Sequence, residues 1–158
     1  MSCDAAALAA TLWLASTSAV APGPATPQVS NTTPPSVASE PLFVGIVQRA
    51  AKLKADTAAF EKAPLTTDFD HMDGATTFES AITELSSMDM QGHVTLVQRG
   101  YTDDLKCILK GISQDLPVKM KALETAADPK ARHTALEDMF YLLRDNVEVI
   151  TAPPRPAA

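Results

Sequence analysis

The chain has 158 residues, a formal net charge of −6 and few aromatic residues, 5% of the total. Its acidic balance and scattered lysines argue against nucleic acid as a partner, because binding to a phosphate backbone needs a basic surface. The length suffices for one domain of ordinary size with additional segments at its ends.

The first 21 residues are small and apolar, and they predict a signal peptide. Residues 5–15 form an apolar stretch that is too short to span a bilayer, which needs about 20 residues. Ala19-Val20-Ala21 then matches the pattern that a signal peptidase accepts. Asp4 stands where basic residues are usual, so an alanine-rich tail without an export role is the alternative. We expect a periplasmic or secreted protein.

The segments that flank the central region are rich in proline. Residues 22–39 also contain many serines and threonines, and they predict a disordered linker because such a composition cannot bury enough apolar surface to fold. Residues 152–158 form a proline-rich tail that ends the last helix. One domain, residues 40–151, is predicted between them.

The first predicted helix shows the clearest pattern. Ser39 is expected to cap it, Pro41 fits its first turn, and Pro64 is expected to end it. Its apolar or small positions are spaced 3-4-3-4-3, which is typical of the seam of a helical bundle. These positions are Phe43, Ile46, Ala50, Leu53, Thr57 and Phe60.

Two further patterns follow a loop or short turn predicted at residues 68–74. A capping box at residues 76–79 predicts the start of a second helix, and its apolar stripe consists of Phe78, Ile82 and Leu85. Met88 or Asp89 is expected to continue that stripe. The next apolar pattern consists of Val94, Val97 and Tyr101. It either continues the second helix or starts a new one at Gly92.

The remaining patterns predict two helices and complete the fold class. Thr102 is expected to cap a helix that Pro117 kinks or breaks, and Asp128-Pro129 is expected to start the last helix. The two apolar stripes are Leu105, Ile108, Leu109, Ile112 and Leu116, then Leu136, Met139, Leu143, Val147 and Ile150. The sequence therefore predicts an all-α, up-and-down bundle of four helices, with five helices as the alternative.

Several motifs of catalysis and cofactor binding are absent from the sequence. It contains no phosphate-binding GxxxxGK[ST] or GxGxxG loop, no GxSxG and no HExxH. It also lacks the Glu-x-x-His pairs of di-iron bundles and the CxxCH of covalent haem attachment. We therefore expect a non-catalytic interaction module without a cofactor, which binds an unknown protein or small ligand or makes structural contacts.

The stretch SSMDMQGH, residues 86–93, raises one metal-binding alternative. Met88, Met90 and His93 offer thioether and imidazole groups, both of which bind copper. Met90 and His93 share a helix face, and a bend at Gly92 would bring in Met88. The loop residues His71 and Met72 would supply a second pair if the fold brought them near. The alternative function is thus a periplasmic metal binder, with copper as the first choice of ligand and non-covalent haem as the second. Methionines that pack in the core would give the same pattern.

Cys107 is expected to be the lone thiol after export, because Cys3 lies in the predicted signal peptide. In an oxidising compartment it predicts an intermolecular disulfide, and so a homodimer. Two alternatives stay open. Cys107 fits a small apolar position at the edge of the core, and it fits a reactive thiol if a histidine lies beside it.

Overall fold

The computed structural model describes residues 36–64, 68–102 and 104–152. These residues form four α-helices and a short 3₁₀ segment, Phe69–His71, in the stretch predicted to be a loop or turn. The helices are α1 (Pro41–Lys62), α2 (Ala75–Gln98), α3 (Leu105–Glu124) and α4 (Pro129–Thr151). The predicted signal peptide, the predicted linker up to residue 35 and the tail from residue 153 lie outside the described residues.

The four helices pack in chain order around one core, as an up-and-down bundle requires. Each helix contacts the next, and α4 closes the ring on α1, while the α1–α3 and α2–α4 pairs lie across the diagonals. The described residues contain no strand, so the predicted all-α bundle is confirmed. None of the described helices is both long enough and apolar enough to cross a membrane.

Apolar side chains from all four helices fill the core. The predicted seam of α1 is confirmed, since five of its six positions are buried and Phe60 is half-buried. Burying one large aliphatic or aromatic side chain stabilises the fold by roughly 1.5–3 kcal/mol. Val37 is also buried, so packing begins within the segment predicted to be linker. The largest fully buried side chains are Phe43, Ile46, Leu53, Ile82, Leu85, Leu96, Leu109, Leu116, Leu123, Leu136, Met139 and Leu143.

The bundle has four helices because neither of the two residues at which a helix break was predicted interrupts its helix. α2 continues through Gly92, and α3 continues through Pro117. Proline has no N–H, so Pro117 leaves the carbonyl of Ser113 without its usual helical donor. The hydroxyl of Ser86, on α2, donates to that carbonyl at 2.7 Å. A neighbouring helix therefore replaces the hydrogen bond that the proline removes.

Removing the Ser86 hydroxyl should destabilise the bundle more than removing the hydroxyl next to it. Ser86→Ala leaves the carbonyl of the buried Ser113 without a donor, which we expect to lower the free energy of unfolding by about 1–3 kcal/mol. Ser87→Ala is the control, because Ser87 is exposed and its hydroxyl donates only to Thr83 of its own helix. Urea unfolding of the two variants checks the difference, and equal losses would contradict the role given to Ser86.

Three of the predicted helix starts are wrong and one is confirmed. Asp104, not Thr102, occupies the N-cap position of α3, without a side-chain hydrogen bond. Glu40, not Ser39, occupies the N-cap position of α1, without a side-chain hydrogen bond. α2 begins one residue before the predicted capping box, after Gly74, whose φ of 87° is accessible to glycine at little cost. The carboxylate of Asp128 does cap α4, accepting from the backbone N–H of Ala131 at 2.8 Å.

The apolar stripe predicted for the second half of α2 is also wrong. Val94 and Val97 are 43% and 50% exposed, whereas Leu96 is fully buried. The buried face instead runs from Leu85 through Asp89 and Gly92 to Leu96. Asp89 is one of the two residues predicted to continue the stripe of Phe78, Ile82 and Leu85, so the prediction fails only beyond Asp89.

Candidate functional site

An open cleft lies at the end of the bundle where α1 ends and α2 begins. Its volume is about 650 Å³, within the range of small-ligand sites in proteins. Three stretches of chain form its walls: the second half of α1, the turn that follows the 3₁₀ segment, and the first turns of α2. The lining residues are Lys52, Asp56, Ala59, Phe60, Ala63, Pro64, His71, Met72, Asp73, Gly74, Thr77, Phe78 and Ala81.

Three phenylalanine rings pack against one another at the base of this cleft. Phe60 contacts Phe69 and Phe78 edge to face, with ring centroids 5.1 and 5.3 Å apart, and Phe69 lies 6.1 Å from Phe78. Such arrangements are worth about 0.5–1.5 kcal/mol per pair beyond the burial of the rings. Phe60 and Phe78 line the cleft and Phe69 supports them from the core.

Polar groups surround this apolar surface. Lys52 and Asp56 form an ion pair of 2.6 Å on α1, and His71, Asp73 and Thr77 lie on the other side. The amine of Lys52 is thus already engaged by a carboxylate, and Asp73 adds a second negative charge. The cleft offers an apolar floor with a rim that is acidic on balance.

A second polar feature lies deep in the core, across one diagonal of the bundle. Asp89 of α2 and Asn146 of α4 are both 0% exposed, and the Asn146 Nδ2 donates to Asp89 Oδ2 at 2.7 Å. The other oxygen of each group, Oδ1, has no hydrogen-bond partner within the described protein. Burying these two acceptor oxygens without a donor for either of them lowers the stability of the fold.

A proton on Asp89 resolves that shortage of donors. Burial raises the pKa of this carboxyl from 3.8 to about 7, and the hydrogen bond from Asn146 lowers it only in part. Among the described residues, no charged neighbour contributes to the shift. The neutral acid gains an O–H donor, and Asn146 Oδ1 is an acceptor on the same amide group that already binds it. Near neutral pH, Asp89 therefore changes between a neutral and a charged form.

The three residues of the predicted copper site face different neighbours. Met88 lies against α1, where its Cε is 3.0 Å from the position that a Cβ on Gly45 would take. The Nδ1 of His93 is 2.6 Å from the Lys106 carbonyl oxygen on α3. Met90 is half-buried, and α2 continues through Gly92 as an α-helix. The site at Met88, Met90 and His93 stays a prediction.

The structure does not bring the second predicted pair, His71 and Met72, to that cluster. Both residues line the cleft at the start of α2, beside Phe78. Met90 comes twelve residues after Phe78 on the same helix, which is about 18 Å along its axis. His71 and Met72 therefore belong to the cleft.

Cys107 lies half-buried near the start of α3 and is disulfide-bonded. The other cysteine of the chain, Cys3, lies outside the described residues. The intermolecular disulfide at Cys107 therefore stays a prediction, and the reactive-thiol alternative would require the reduced form.

The sequence analysis did not predict the pairing of Asp89 with Asn146, although the spacing of each residue along its own helix indicates a core position. Asp89 follows Leu85 by four residues, and Asn146 follows Leu143 by three, so both lie on the apolar stripes of their helices. A polar residue in register with a core stripe is the signal that finds such a pair. Nothing in the sequence indicates that the two residues face each other.

Comparisons of the chain with protein-family models, with curated proteins and with solved structures find no match in any of the three. The function is therefore argued from the geometry of the molecule itself.

Proposed function

We propose that this chain is an exported, non-catalytic binding module that holds a small ligand in the cleft at the end of its bundle. The observation that carries the proposal is the cleft itself, with a floor formed by the packed rings of Phe60 and Phe78 and a polar rim. The signal-peptide pattern of residues 1–21 supports export.

The lining indicates the chemical class of the ligand. An aromatic floor favours an apolar or aromatic body, since ring contacts and burial both stabilise it. The rim carries two carboxylates, Asp56 and Asp73, against one lysine. A neutral or cationic polar end therefore fits better than an anionic one, because a second negative charge beside the carboxylates is repelled.

Two fluorescent probes that differ by one charge test this proposal. N-phenyl-1-naphthylamine is neutral, and 8-anilino-1-naphthalenesulfonate has the same rings with an added sulfonate. We expect the full chain to bind the neutral probe saturably, at one site and more tightly than the sulfonated probe. Ala59→Glu places a charge in the cleft at an exposed position and should weaken the neutral probe at least about tenfold, or 1.4 kcal/mol.

Ala51→Glu is the matched control for this experiment. It adds the same charge at an exposed position of α1 that does not line the cleft, and it should leave the affinity unchanged. Equal weakening by both variants, or no saturable binding to the unmodified chain, would overturn the proposal. Tighter binding of the sulfonated probe would overturn the predicted ligand class.

The copper alternative and the homodimer through Cys107 stay predictions.

A further inference from the structure

Three metal-ligating side chains come together where α1 ends and α4 begins. His133 Nδ1 lies 3.3 Å from Glu61 Oε1, and His133 Nε2 lies 3.7 Å from Glu137 Oε1. One ligand atom from each of the three residues can be chosen so that all lie within 4.8 Å of one another. None of the three residues lines the cleft.

The fold fixes two of these side chains on one face and brings the third from another helix. His133 and Glu137 are four residues apart on α4, so they lie one above the other. The Asp128 cap and Pro129 hold the first turn of α4, and His133 begins the next turn. Glu61 lies in the last turn of α1, the helix that packs along α4.

The two carboxylates have no basic partner other than His133 among the ion pairs of the described residues. Without a metal, the ring is held between them, with one carboxylate near each nitrogen. A bound cation would take one ring nitrogen and draw both carboxylates toward itself, and their two charges would balance those of a divalent ion.

We propose that Glu61, His133 and Glu137 form a surface site for Zn²⁺. One imidazole nitrogen and two carboxylate oxygens are donor types that zinc takes at about 2.0–2.2 Å, and three protein ligands leave a position for water. The imidazole selects against Ca²⁺ and Mg²⁺, which prefer oxygen ligands alone. The site joins the end of α1 to the start of α4, so zinc also strengthens that junction.

Zinc titration of the full chain by isothermal calorimetry at pH 7.5 tests the proposal, because imidazole binds metal in its neutral form. We expect one site, and at least tenfold weaker binding in His133→Gln and in Glu61→Gln. A matching change in the His133 ring signals by NMR on adding zinc would place the ion at this histidine.

Two controls separate this site from others. His71→Gln and Glu79→Gln remove an exposed histidine and an exposed glutamate elsewhere, and both should leave zinc binding unchanged. Binding that survives His133→Gln, or the absence of zinc binding by the unmodified chain, would overturn the proposal. Loss of binding in His71→Gln alone would move the site to the cleft and equally overturn it.

Discussion

The substitution Asp89→Asn is expected to stabilise the bundle by about 4 kcal/mol at pH 8 and by less than half as much at pH 5. Burial raises the pKa of Asp89 to about 7 in the folded chain, from an ordinary value of 3.8. At pH 5 the folded protein holds a neutral acid, which the introduced amide matches in charge and nearly in shape, but Asp89 is already ionised in the unfolded chain, so part of the effect is present. At pH 8 the amide replaces a buried charge that lacks a cationic partner.

The size and direction of the effect follow from proton binding. In the unfolded chain Asp89 loses its proton near pH 4, whereas in the folded chain it keeps the proton up to about pH 7. Between these values the folded state binds more protons, so the free energy of unfolding falls as pH rises. The fall is about 1.4 kcal/mol per pH unit, or about 4 kcal/mol across the window, and it ends once both states are ionised.

Urea unfolding of the full chain, followed by circular dichroism at pH 5, 6, 7 and 8, measures this effect as the gap between Asp89→Asn and the unmodified protein. The gap should widen steadily up to pH 7 and then level off. Asp115→Asn is the control, because Asp115 is exposed on α3 and its removal changes the net charge by the same amount. A gap that does not change with pH would show that Asp89 does not hold its proton above pH 5.

Helix faces were predictable from the sequence wherever apolar residues alone occupy the core positions. Phe43, Ile46, Ala50 and Leu53 repeat on α1 without interruption, and all four are buried. The prediction failed on α2 after Asp89, where Gly92 and Leu96 occupy the buried face in place of the predicted valines. Hydrophobic periodicity alone also cannot choose Asp89 over Met88 as the buried residue, because the burial of Asp89 depends on a partner fifty-seven residues away.

The number of helices depended on a contact between helices. A proline in the middle of a helix normally costs about 3 kcal/mol or more, so a break at Pro117 was a sound alternative. The hydroxyl of Ser86 removes part of that cost by donating to the Ser113 carbonyl. No local pattern around Pro117 contains this information, because Ser86 belongs to another helix.

Only parts of the cleft and of the proposed zinc site were predictable from the sequence. Phe60 and Phe78 were predicted to lie on apolar stripes, but the cleft between them appears only when α1 and α2 pack. The pairing of His133 with Glu137 was visible as a four-residue spacing on one helix. Glu61, seventy-two residues earlier, joins them through the packing of α1 on α4. Residues on one helix can be grouped from sequence, whereas residues from two helices need the fold.

The substitution Asn146→Leu is expected to cost the bundle about 2–4 kcal/mol of unfolding free energy. Leucine has nearly the shape of asparagine but donates no hydrogen bond, so Asp89 loses the donor that reaches its Oδ2 at 2.7 Å. Both oxygens of a fully buried carboxyl would then lack a protein partner. Leaving one member of a buried polar pair without the other costs more than the pair contributes as a whole.

Adding the second substitution should recover most of this loss. In Asp89→Leu with Asn146→Leu the polar groups disappear together, and apolar groups of similar shape meet across the diagonal. Such exchanges are often neutral or stabilising, so we expect the double variant to lie within about 1 kcal/mol of the unmodified protein at pH 7, or above it. Urea unfolding of the two single variants and the double variant gives the coupling energy between the residues. Additive losses would mean that Asp89 and Asn146 do not depend on each other, and the acid–amide pair would have to be abandoned.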